Sequence, residues 1–80
     1  MITAEKEDAL LSAYKKMISE AKYWGKKMHD AAENMDIPES NRCLAYQNIY
    51  IHQMEGFLES LRIMGYTITR YDDEYIVEEI

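Results

Sequence analysis

Eighty residues, 48% of them hydrophobic and 30% charged, suit one small globular domain spanning 1–80 and not a disordered chain. The single cysteine, Cys43, excludes an internal disulfide and a thiolate metal cage, so a core this small is expected to lean on a second subunit. A formal net charge of −6 argues against wholesale nucleic-acid binding, because phosphates would be repelled.

No basic-then-apolar leader follows Met1, and no apolar run approaches the roughly 20 residues that cross a bilayer. With a free thiol, the expected location is the cytoplasm. The charge is uneven. Lys15, Lys16, Lys22, Lys26 and Lys27 face one acid, Glu20, within the same stretch, whereas Asp72, Asp73, Glu74, Glu78 and Glu79 have no base among them.

Thr3 reads as a helix N-cap, with Glu5, Glu7 and Asp8 in the first turn where the helix dipole favours acids. From there Leu10, Tyr14, Met17, Ala21, Trp24, Met28, Ala31 and Met35 recur at alternating spacings of four and three. Leu11, Ile18, Gly25 and Ala32 follow one flank, so the spacing predicts a helix over about 4–35 with an apolar face wider than a coiled-coil seam. Small residues around Trp24 would let another helix approach closely.

Asp36-Ile37-Pro38-Glu39 breaks this helix, since proline disfavours the helical region for Ile37. Ser40 or Asn41 could cap the next helix. Asp36 with Glu39 forms a competing capping box in which Pro38 is harmless. The second helix, about 40–64, carries three apolar rows: Leu44, Ile51 and Leu58; Gln47, Met54 and Leu61; and Cys43, Tyr50, Phe57 and Met64. Gly65 reads as the glycine that closes it. Ile49, Gly56 and Ile63 fall roughly opposite these rows, with no reason within the helix to be apolar.

Beyond Gly65 the period becomes strand-like. Tyr66–Tyr71 and Tyr75–Glu79 predict a β-hairpin over about 66–71 and 75–79, turning at Asp72-Asp73-Glu74. The expected fold is therefore α+β, mainly α: an antiparallel helical hairpin and a C-terminal β-hairpin.

Chemistry-bearing groups are sparse. His29 with Glu33 and His52 with Glu55 have helical spacing but match no metalloenzyme pattern, and both histidines read as solvated. Cys43 has neither a glycine-framed nucleophile turn nor a nearby histidine base, so it reads as a structural thiol. The three glycines lie too far apart for a phosphate loop. No catalytic, cofactor or metal residues are expected, and the chain is expected not to be an enzyme.

Binding is the remaining class. Lys15, Lys22 and Lys26 share a side of the first helix and could take phosphates, although an ordinary solvated flank is the plainer reading. Seven tyrosines are many for this length, and tyrosine is enriched at interfaces. Tyr71, Asp72, Asp73, Glu74, Tyr75, Glu78 and Glu79 interleave aromatics with carboxylates, as a mimic of nucleic-acid charge would; edge protection and solubility are the alternative. Trp24, Met28, Ile51, Phe57 and Leu58 are expected in the core or a dimer seam, with Trp24 and Phe57 among the most buried. Two helices with such wide faces predict a homodimer of four-helix type, Gly25 and the alanines allowing close contact. The Ile49, Gly56 and Ile63 row would then be a second interface or the seat of the hairpin.

The segment Gly56-Phe57-Leu58-Glu59-Ser60-Leu61-Arg62-Ile63-Met64-Gly65-Tyr66-Thr67-Ile68 resembles small proteins of phages and mobile elements of low-GC Gram-positive bacteria, over about the last forty residues. The resemblance brings no catalytic residues. It implies a setting in which small acidic proteins inhibit host machinery. The resulting expectation is a non-enzymatic inhibitor of a host protein, anti-CRISPR-like or otherwise anti-defence, whose target could be a nucleic-acid-binding effector. A nucleotide or nucleic-acid binder (a signalling-nucleotide sponge) using the lysine flank and an assembly or scaffold subunit are the alternatives.

Overall fold

In a computed structural model that describes residues 2–80, the chain forms α1 (Ala4–Glu33), α2 (Ile37–Ile63), β1 (Tyr66–Tyr71) and β2 (Glu74–Glu79). The order is that expected: a helical hairpin followed by an antiparallel β-hairpin. No helix among the described residues is long and apolar enough to cross a membrane.

Local chemistry sets the boundaries. Thr3 caps α1, its Oγ1 accepting the Lys6 N–H at 3.3 Å. The helix ends two residues before the expected Met35 because Met35 takes the left-handed conformation, φ 59°. Its N–H donates to Ala32 O at 3.0 Å and that of Asp36 to Ala31 O at 2.8 Å, the paired bonds of a Schellman closure. Met35 is thus no member of the apolar stripe and stands 85% exposed.

Asp36, the alternative cap, starts α2 three residues before the expected position 40. Its Oδ1 accepts the Glu39 N–H at 3.2 Å, with Pro38 in the first turn. Ser40 instead donates its hydroxyl to Met28 O of α1 at 3.2 Å, tying the helices together beside the loop. Gly65 closes α2 with φ 90°. The strands pair from Tyr66↔Glu79 to Tyr71↔Glu74, one residue longer in β2 than expected, leaving Asp72-Asp73 as a two-residue loop. Asp72 takes φ 54° there, a conformation that aspartate accepts more readily than most residues.

The two helices pack along their length, with β1 against α2 and β2 against α1. Among the described residues the buried ones are Ala21, Ala31, Cys43 and Leu61, three of them small. Trp24 and Phe57, expected to be among the most buried, are half-buried, as are Met28 and Leu58, and Ile51 is exposed. Small side chains at the contact bring helix axes together and leave large neighbours on the flanks, half in water. Gly25 serves this contact within the chain. A Cβ there would overlap the Gln47 amide, whose Nε2 donates to Ala21 O at 3.3 Å.

Candidate functional site

Strand alternation sorts the hairpin residues into two faces. Tyr75 points inward, its ring edge-on to Tyr14 of α1 at 5.7 Å, while Tyr14 stacks on Phe57 of α2 at 6.0 Å. Three elements are joined through three rings. Burial and the neighbouring Tyr75 push the Tyr14 phenol above its ordinary pKa. Tyr75, one of the expected partner-binding residues, thus packs its ring against α1 and is half-buried.

Tyr71, Glu74 and Glu78 share the outward face. The Tyr71 hydroxyl donates to Glu78 Oε1 at 2.8 Å and that of Thr69 to Oε2 at 3.3 Å. Accepting the phenolic hydrogen, Glu78 holds the Tyr71 pKa up. At the tip, Arg70 donates from Nε to Asp72 O at 2.8 Å and approaches Asp73 Oδ1 at 3.6 Å. Asp72 and Asp73 are exposed, as are Glu74 and Glu79. The acidic tail is split between the two faces, with Glu79 on the side of Tyr75 and Glu74 and Glu78 on the side of Tyr71, and Arg70 on β1 offsets part of its charge.

Lys15, Lys22 and Lys26 are exposed along α1. No ion pair to them occurs among the described residues. Lys15 and Lys22 lie in mid-helix, well beyond the first turn of α1 whose backbone N–H groups could meet a phosphate. His29 and His52 are exposed and pair with Glu33 at 3.0 Å and Glu55 at 3.7 Å on their own helices. Cys43 is fully buried. Its thiol donates to Glu39 Oε1 at 3.6 Å, and burial, then Glu39, pushes its pKa up, which keeps it protonated and unreactive.

The densest constellation was not singled out from the sequence. Near the α1–α2 loop, Trp24 stacks on Tyr46 with centroids 4.6 Å apart and planes 22° from parallel. Tyr23 meets Trp24 edge-on at 5.1 Å. Lys27 Nζ lies 5.3 Å from the Tyr23 ring centre and Arg42 Cζ 5.6 Å from that of Tyr46. Glu39 fixes Arg42, whose Nε donates to Oε2 at 2.9 Å while its terminal nitrogen reaches Oε1. This pairing lowers the Glu39 pKa and raises that of Arg42. Tyr23 and Tyr46 are exposed and Trp24 half-exposed. The outcome is a fixed aromatic platform rimmed by two cations, and its signal was available: Tyr23 with Lys27 and Arg42 with Tyr46 are both i,i+4.

Comparison with family models, with curated proteins and with solved structures finds no match for this chain.

Proposed function

We propose that this chain acts by binding another protein, with the Trp24–Tyr46 platform as the principal contact. The observation that carries this reading is the exposure of stacked tryptophan and tyrosine beside an arginine held by the Glu39 carboxylate. Tryptophan, tyrosine and arginine are the residues that most often carry interface energy. Here they are ordered before binding, so little side-chain entropy is lost when a partner arrives. The outward acidic face of Tyr71, Asp72, Asp73, Glu74 and Glu78 offers a second contact for a basic partner.

The resemblance of Gly56–Ile68 to phage and mobile-element proteins supports a narrower version. The partner is a host defence protein, such as a nucleic-acid-binding effector, inhibited in the host cytoplasm in the manner of an anti-CRISPR protein. Self-association belongs to the same proposal, since with four buried residues and eleven exposed large hydrophobics among the described residues the single chain covers little of its apolar surface.

The test is affinity capture from a low-GC Gram-positive host lysate at graded salt, with wild type beside Tyr46→Ala. The proposal expects a protein retained by wild type and lost with the variant, and that protein's activity to fall when the chain is added. Retention of nucleotides or nucleic acid alone, released as salt rises, would replace it with the phosphate-binding reading of Lys15, Lys22 and Lys26.

A further inference from the structure

The outer side of α2 carries an apolar row that nothing within the chain uses. Cys43 and Leu61 mark the side facing α1, and Gly56 lies about 140° around the helix from both. Ile49 and Ile63 stand seven residues to either side of it, 51% and 82% exposed. The hairpin does not seat on this row. A Cβ added at Gly56 would meet nothing within 4 Å, unlike Gly25, whose space Gln47 fills. A glycine here weakens the helix interior with no intramolecular return. Gln53 and Ser60 flank the row on one side, and His52 and Glu59 on the other.

The row is symmetric about Gly56, which is what a two-fold axis needs. Placed antiparallel, a second α2 would set each Ile49 against the partner's Ile63 and bring the two glycines together at the axis, where the missing side chains permit close approach. The surface area agrees. The chain exposes 5976 Å², about 900 Å² more than a monomer of this mass usually does, because it extends 50 × 24 × 18 Å. A standard interface removes about 800 Å² from each partner.

We propose that α2 is the seam of a homodimer, a second copy of this chain docking antiparallel with its two-fold axis at Gly56. The inference rests on the self-association proposed above and supplies its surface: the back of α2, in place of the main stripes facing α1.

Light scattering at micromolar concentration tests it, with wild type expected near twice the 9.5 kDa chain mass. Ile49→Lys and Ile63→Glu, both at exposed positions, should each weaken the dimer by roughly thirtyfold or more while the helical circular dichroism is unchanged. Combined in one chain they should restore it, because the two new charges would face each other across the axis. A wild type that stays monomeric overturns both this seam and self-association. A dimer indifferent to both single substitutions, or not recovered by the pair, overturns the seam alone.

Discussion

The two ends of the helical pair are built from one heptad pattern and finish differently. At the hairpin end, large residues meet: Leu61 is 1% exposed, and Tyr14 packs between Phe57 and Tyr75 under the strands. At the loop end the buried residues are Ala21, Ala31 and Cys43, and the large ones, Trp24 and Tyr46, are pressed onto the flank with their faces stacked. Six-residue strands reach about 20 Å, less than half of a 30-residue helix. One end therefore gains a cover while the other presents its aromatics. The covered half holds Leu61 and the Tyr14–Phe57–Tyr75 cluster, and the open half exposes the aromatics on which the proposed binding rests.

Removing the cover should have the largest effect. Deleting Asp72 to Ile80 strips β2 from Tyr14 and leaves β1 unpaired, and an unsupported strand is not stable in water. Thermal melting should lose its cooperativity or shift down by more than 10 °C, on the order of what a loss above 2 kcal/mol gives in a domain this small. An unchanged transition would mean that the helices stand alone.

Single substitutions sharpen the contrast between the ends. Leu61→Ala should cost about 2–5 kcal/mol in chemical denaturation, as for a fully buried leucine. Trp24→Ala, larger in volume but half-exposed, should cost only about 2 kcal/mol while removing partner capture. Equal losses at the two positions would place the core elsewhere.

The loop itself allows a stabilising change. Met35 holds φ 59° without being glycine, and its side chain, 85% exposed, gives little in return. Met35→Gly should therefore raise stability by about 1 kcal/mol, read as a higher denaturation midpoint.

The helices were legible because period and caps agree: Thr3, Asp36 and Gly65 act as their chemistry predicts, whereas Ile37, expected outside a helix ahead of proline, is the first residue of α2, and the break is made at Met35. Met35 misled because it falls in step with the stripe, and nothing in its chemistry signals a left-handed residue. The depth of each stripe position was not legible either. Burial at Trp24 or Ile51 depends on how closely the helices approach, and Gly25, Ala21 and Cys43 settle that jointly across two elements. The acidic tail was read as one surface, yet strand alternation turns Tyr75 inward while Tyr71 and Glu78 face out. That split follows from Tyr75 meeting Tyr14, a tertiary contact that the strand's own sequence does not specify.

A smaller effect belongs to the hairpin's outward face. Tyr71 donates to Glu78, which favours the neutral phenol and raises its pKa above the ordinary 10.0. The stabilisation this gives the hairpin is present below pH 10 and lost as pH rises through the raised value. Phenolate absorbance should show Tyr71 ionising late, and Glu78→Gln should bring that ionisation back toward 10.0.

The measurement closest to the central claim is acrylamide quenching of Trp24, the single tryptophan, in the free protein and with its captured partner. An open platform predicts partial accessibility in the free chain and strong protection in the complex. An indole equally accessible with and without the partner would contradict the assignment of the Trp24–Tyr46 surface.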